Sequence, residues 1–229
     1  STRKRSSAAS DVYKRQDYAS GIRAYSFDGS TLTEVGSFDT SGDAEGVWGD
    51  GTYIYVADRS AGIHAFTFDG TDFTQEGTLN TSGIAENIWG DGTYIYVADG
   101  VVGGVRAYTF DGTTFTEEGN FNTPAAGRSV WGDGTYIYVA DGTSGIRAYT
   151  FDGTTFTEIG SYNTPSSVRD VWGDGTHIYV ADSTSGLRAY TFDGSTFTEI
   201  DVYNTPSNAI DVWGDGTHIY VADDASGVR

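Results

Sequence analysis

Carboxylates are the residues of this sequence best placed to do chemistry, because they recur at fixed intervals. Aspartate fills three slots in every copy of a repeated pattern. Asp50, Asp91, Asp133, Asp174 and Asp215 lie in Gly-Asp-Gly turns, and Asp58, Asp99, Asp141, Asp182 and Asp223 close an Ile-Tyr-Val-Ala run. Asp28, Asp69, Asp111, Asp152 and Asp193 lie in Phe-Asp-Gly turns. Carboxylates in such rings can hold Ca²⁺ or work as paired acids. None has the Asp-x-Asp-x-Asp-Gly spacing of a compact calcium loop, whereas aspartates in turns hydrogen-bond nearby backbone N–H groups. Turn chemistry is therefore the expectation and no cofactor is expected, calcium being the one ion the pattern raises.

Other chemistries find less support. There is no cysteine, which excludes disulfides, thiol catalysis and Cys-based metal sites. The three histidines are scattered: His64 takes a slot otherwise filled by Arg, and His177 and His218 replace Tyr. No Ser/His/Asp set can be assembled, and no glycine loop leads into a helix to cradle a phosphate. The sequence therefore reads as a non-enzyme. Arg23, Arg106, Arg147 and Arg188 each precede an Ala-Tyr pair and lie across a short loop from the second Asp slot, which suits a structural Asp–Arg pair.

The elements that position these residues are short strands. Trp48, Trp89, Trp131, Trp172 and Trp213 are spaced by 41, 42, 41 and 41 residues, and each opens a Trp-Gly-Asp-Gly-Thr segment. Every repeat reads as four strands: A ends at Trp, B is Tyr-Ile-Tyr-Val-Ala, C is Ile-Arg-Ala-Tyr-Thr-Phe, and D is Phe-Thr-Glu-Ile-Gly-Ser-Tyr. They are rich in β-branched and aromatic residues. The A–B and C–D links both contain Asp-Gly, which tolerates the positive φ of tight hairpins. No segment has helical periodicity. A period near 41 with four strands per unit predicts an all-β propeller of four-stranded antiparallel blades. The repeated Trp suits the wedge between blades better than a sugar platform. The chain begins with strands C and D and ends with A and B, so it holds five blades that a split blade would close into a ring. The start of a further strand C at Gly227-Val228-Arg229 points instead to a piece of a longer protein.

The order Val-Trp, Tyr-Ile-Tyr-Val-Ala-Asp, Gly-Ile-Arg-Ala-Tyr, Gly-Ser-Tyr-Asn-Thr-Pro resembles the LVIVD-repeat propellers over residues 17–229. It departs from them at Trp-Gly-Asp-Gly and at Phe-Asp-Gly. The resemblance implies a propeller of a bacterial or archaeal surface or exported protein, and it implies no catalytic residues.

The first sixteen residues have a different composition. They carry five basic residues and one acidic one, within a chain of 13 basic and 32 acidic side chains. Ser6 to Gln16 match an in-frame translation of a transposase-type sequencing adapter, which would make residues 1–16 a non-native, disordered segment and the source a metagenomic assembly. Residues 17–229 then carry 8 basic side chains, all Arg, against 31 acidic ones, a net charge of -23. Such acidity excludes a nucleic-acid partner, and the lack of lysine suits a saline or halophilic setting. No apolar run approaches the ~18 residues of a membrane-spanning helix, so no membrane insertion is expected in this segment.

Variation between the repeats collects in the D–A and B–C loops, which a four-stranded meander places on one face. Three residues before each Trp stand Glu45, Glu86, Arg128, Arg169 and Ile210, and two before stand Gly46, Asn87, Ser129, Asp170 and Asp211. These residues are expected to ring the mouth of a channel. Glu45, Glu86, Asn87, Arg128, Arg169, Asp170 and Asp211 are the candidate ligand-binding set, since loops over a propeller axis carry function. The expected function is a non-catalytic binding or scaffolding propeller with a protein or glycan ligand. A lectin-like propeller is one alternative. The propeller part of a lyase or hydrolase, with catalytic residues outside this sequence, is another.

Overall fold

The computed structural model describes residues 13–16 and 21–229, and nearly all of their regular structure is β. Strands β1 (Tyr13–Gln16), β2 (Ile22–Phe27) and β3 (Leu32–Phe38) form a three-stranded sheet. Four complete antiparallel sheets follow, each in simple up-and-down order. The first is β4 (Gly46–Gly49), β5 (Ile54–Ala57), β6 (Ile63–Phe68) and β7 (Phe73–Leu79). The second is β8 (Asn87–Gly90), β9 (Ile95–Ala98), β10 (Val105–Phe110) and β11 (Phe115–Phe121), with one helical turn, α1 (Gly100–Gly103), between β9 and β10. The third is β12 (Ser129–Gly132), β13 (Ile137–Ala140), β14 (Ile146–Phe151) and β15 (Phe156–Tyr162). The fourth is β16 (Asp170–Gly173), β17 (Ile178–Ala181), β18 (Leu187–Phe192) and β19 (Phe197–Tyr203). β20 (Ala209–Gly214), β21 (Ile219–Asp223) and β22 (Gly227–Val228) make the last, three-stranded sheet. The A strands β4, β8, β12, β16 and β20 lie side by side around the axis. The repeats thus form a propeller arrangement with four complete blades, and the strands of the fifth repeat stand in the two end sheets.

Two details differ from the sequence reading. Tyr13–Gln16, expected to be disordered, pair antiparallel with β2 in the place of a strand B, because β2 would otherwise present an open edge of unpaired N–H and C=O groups. The remainder of the adapter-like segment, residues 1–12, lies outside the described residues. The two end sheets also do not join into one blade. Asp201 supplies a physical reason. It fills the strand D slot held by glycine in the other copies, Gly36, Gly77, Gly119 and Gly160. A Cβ at Gly160 would stand 2.7 Å from the Phe192 ring and from the Ser195 carbonyl of the next hairpin. Closing the ring would bring Phe27 and Ser30 of the β2–β3 hairpin to that place beside Asp201.

The blade interfaces explain the Trp-Gly pair. Each indole stacks on the strand B Tyr of its own blade, as Trp89 does on Tyr96 at 5.7 Å between ring centroids. Its far edge lies over the glycine that follows Trp in the next blade: Trp48 over Gly90, Trp89 over Gly132, Trp131 over Gly173, and Trp172 over Gly214. Trp213 has no following blade among the described residues and is 57% exposed. The strand C tyrosines Tyr108, Tyr149 and Tyr190 are fully buried between sheets, and burial of one such ring stabilises by about 1.5–3 kcal/mol.

The recurring aspartates hold the turns and loops. Asp133 Oδ1 accepts the N–H groups of Thr135 and Tyr136, and its Oδ2 accepts the Tyr138 hydroxyl at 3.0 Å. Asp152 Oδ1 likewise accepts from Thr154 and Thr155. The aspartates that end strand B are buried in clasps. Asp141 Oδ2 accepts Arg147 Nε–H at 2.8 Å, and the Arg147 Nη1 continues to Glu158 on strand D at 2.9 Å. Asp99–Arg106–Glu117 and Asp182–Arg188–Glu199 repeat this triad. The same aspartates also accept the N–H of a D–A loop residue: Gly42, Gly83, Ala125, Ser166 and Ser207. Each clasp therefore fixes the segment that leads into the next strand A.

One clasp is built differently. His64 Nε2–H donates to Asp58 at 3.0 Å, which leaves Nδ1 as acceptor for the Gln75 amide at 3.5 Å. Gln75 stands where the other copies have Glu, so the loss of the Arg charge is matched by loss of the Glu charge. His64→Arg alone is expected to cost about 1–2 kcal/mol, because the guanidinium would face a neutral amide. His64→Arg with Gln75→Glu should recover most of that loss. Urea denaturation of the two single variants and the pair measures this coupling.

Candidate ligand-binding mouth

The D–A and B–C loops meet on one face. Short backbone bridges tie the B–C loop of one blade to the D–A loop of the next, at Arg59 with Ala85, Gly100 with Gly127, Gly142 with Val168, and Ser183 with Ala209. The residue after the strand B Asp is left-handed in every copy: Arg59 (φ 46°), Gly100, Gly142, Ser183 and Asp224. Only glycine adopts that conformation freely, so Arg59 holds a strained backbone to present its side chain.

These loops and the A strands enclose a cavity of about 410 Å³ lined by Glu45, Arg59, Glu86, Asn87, Arg128, Ser129, Arg169, Asp170, Ile210 and Asp211. All seven candidate residues lie in it. Arg59 was not among them, and its signal was present as the one basic member of a slot that is glycine twice. Ser129 and Ile210 share the slots of the candidates.

The lining is cross-linked within a blade and between blades. Arg59 Nη1 donates to Glu45 Oε1 at 2.6 Å, and Arg128 Nη1 donates to Glu86 Oε1 of the preceding blade at 2.8 Å. Burial and the neighbouring Glu86 hold the Glu45 carboxyl above its ordinary value, although Arg59 opposes this. One level deeper, Asn87 Oδ1 accepts the Val130 N–H at 3.4 Å and Asp170 Oδ2 accepts the Val212 N–H at 2.9 Å. A polar side chain two residues before Trp thus reaches the exposed edge of the next A strand. Gly46 cannot do this, and a Cβ there would meet Asn87 Cα at 2.9 Å.

Asp170 and Asp211 face each other across adjacent blades. Burial, the charge of Asp211 and a hydrogen bond between the two carboxyls, which needs a proton, hold Asp170 well above the carboxylate range. Folded protein therefore keeps a proton there that the unfolded chain releases near pH 4. Stability is lost as pH rises above that value. Asp170→Asn is expected to remove this loss: its Oδ1 still accepts from Val212 and its Nδ2 can donate to Asp211. The variant should match the parent near pH 4 and gain about 1–2 kcal/mol on it by pH 7, read from urea midpoints.

Among the described residues no group of His, Cys, Asp and Glu is arranged to hold a metal ion. No helix among them is long and apolar enough to cross a membrane.

A family model described as the LVIVD repeat matches residues 41–64, 82–103 and 126–146. The chain carries LVIVD repeats. Each LVIVD match runs from a D–A loop through strands A and B into the B–C loop, the part of the blade that builds the mouth. Glu45, Arg59, Glu86, Asn87, Arg128 and Ser129 fall inside the matches. No curated protein matches the chain. The LVIVD-repeat fold is similar to the crystal structure of a putative 6-phosphogluconolactonase from Bacteroides uniformis ATCC 8492, with a TM-score of 0.74 and 17% identity over 89% of this chain and 71% of that one. It is also similar to the computationally designed Ika8 protein, with a TM-score of 0.71 and 6% identity over 97% of this chain and 68% of that one. A natural protein and a designed one share this arrangement at such low identity, so the likeness is one of fold alone.

Proposed function

We propose that this protein is a non-catalytic binding module whose ligand sits over the propeller axis, as part of a surface or exported protein. The observation that carries the reading is the convergence of repeat-to-repeat differences on one cavity. Turns and blade interfaces are nearly identical from copy to copy, while Glu45, Glu86, Arg128, Arg169, Ile210, Asp170 and Asp211 differ and line the same space. A ring of identical repeats presents identical groups, and only such differences give a mouth the chemical asymmetry that a specific ligand needs.

A thermal-shift screen of metabolites, sugars and peptides tests the proposal. At least one ligand should raise the melting temperature of the parent protein and not that of an Arg128→Ala/Asp170→Ala variant. Ligands that stabilise both proteins alike would defeat it.

The Asp170–Asp211 couple favours a second reading, acid–base chemistry on the bound ligand, since two carboxyls sharing a proton can serve as acid and base. Turnover of a screened ligand that disappears in Asp170→Asn and in Asp211→Asn would establish that reading over the first.

A further inference from the structure

We propose that the axial cavity takes a sugar acid, a polyhydroxylated molecule with one carboxylate, held by Arg169 at its charge and by Asp170 and Asp211 at its hydroxyls. The inference rests on the reading of the mouth as a ligand site and adds the chemistry of the ligand.

At the outer level of the mouth one exposed arginine has no carboxylate paired with it among the described residues. Arg59 is held by Glu45 and Arg128 by Glu86. Among the described residues no ion pair or side-chain hydrogen bond engages Arg169. Its neighbours in the same slot are Arg128, already engaged, and Ile210, which is apolar. A planar guanidinium without a partner matches a carboxylate through two parallel N–H···O bonds.

The same side of the cavity is short of acceptors. Arg128 Nε is buried with no hydrogen-bond partner among the described residues. Buried donors without acceptors are costly, and an anionic oxygen beside Arg169 supplies the missing acceptor after a small side-chain adjustment.

The inner level offers the complementary chemistry. Asp170 and Asp211 are acceptors facing the same space, and sugar hydroxyls are donors that suit them. A simple carboxylate makes no use of the two aspartates, and a neutral sugar makes no use of the Arg169 charge. A ligand with both parts uses both levels. Asp170 and Asp211 keep one negative charge between them in the same cavity, so a phosphate dianion is repelled more than a carboxylate, which favours the carboxylate. A cavity of about 410 Å³ lies in the ordinary size range for small-molecule sites.

Isothermal titration of the full chain with glucuronate, glucose, acetate and glucose 6-phosphate tests the assignment. Glucuronate should bind at least about tenfold tighter than the other three, and Arg169→Gln should weaken it by about tenfold or more while the melting temperature of the unliganded protein is kept. Glucose or glucose 6-phosphate binding as tightly as glucuronate, or an Arg169→Gln variant with unchanged glucuronate affinity, would overturn it. If glucuronate fails to bind while another ligand still depends on Arg128 and Asp170, the ligand class is wrong and the mouth stands as a site. If no ligand depends on those residues, both fall.

Discussion

Arg147→Ala is expected to destabilise the protein by about 3–5 kcal/mol, the range found when one partner of a buried ion pair is removed. The Asp141 carboxyl is fully buried, at 0% exposure, and Arg147 Nε is its charged partner at 2.8 Å. Burial already raises the Asp141 carboxyl above its ordinary value, against the opposing pull of Thr123, Arg147 and the Ala125 N–H. Without the guanidinium the charge would be buried with only neutral donors, and Glu158 would lose its partner. The effect has a pH signature. The stranded carboxyl holds its proton more tightly in the folded state than in the unfolded chain, so the penalty should shrink as pH falls toward the ordinary Asp value near 4. Urea denaturation at pH 7 and at pH 4 reads both numbers. Arg147→Met with Asp141→Asn should cost less than Arg147→Ala alone, since it leaves no unpaired charge. The loss should also loosen the mouth, because Asp141 ties down Ala125 in the loop that leads to Arg128 and Ser129.

Gly132→Ala is expected to cost about 2–4 kcal/mol through overpacking. The position has no positive φ, so backbone freedom is not the reason for glycine here. An added Cβ would stand 2.7 Å from two atoms of the Trp89 indole and 3.0 Å from the Tyr136 carbonyl. The indole cannot retreat, because Tyr96 is stacked on it within its own blade. Trp89→Phe with Gly132→Ala should be less damaging than the sum of the two single changes, since the smaller ring yields the space that the methyl needs. Thermal melts of the three variants measure that coupling. The same substitution at Gly214 tests the interface of Trp172.

Much of the architecture is legible in the sequence because strand period, turn chemistry and repeat length agree. Tyr-Ile-Tyr-Val-Ala reads as a strand buried on both faces, and Asp-Gly fixes the hairpins on either side. The residues of the mouth are legible for a different reason. They are the positions where near-identical copies disagree, and adjacent A strands place the same slot side by side around one axis. Other features escape a reading along the chain because they are contacts between blades. The glycine after Trp looks like part of a turn, yet its role is to receive the indole of the preceding blade. The third member of each clasp, Glu117, Glu158 or Glu199, lies eleven residues beyond its Arg and meets it only through the C–D register. Arg59 escapes because its slot is defined by backbone conformation rather than by residue type. The replacement of glycine by Asp201 is visible in the sequence, but its consequence needs the geometry of Gly160 and Phe192.

The most direct test of the mouth as a binding site is the map of backbone amide shift changes when a ligand found by the screen is titrated into labelled protein. The account predicts changes concentrated at residues 45–46, 59, 86–87, 128–130, 169–170 and 210–212, spread over all five A strands and absent from the Asp-Gly turns at the opposite face. Changes centred instead on Trp172, Trp213 and the turn at Asp215, with the mouth unperturbed, would contradict it.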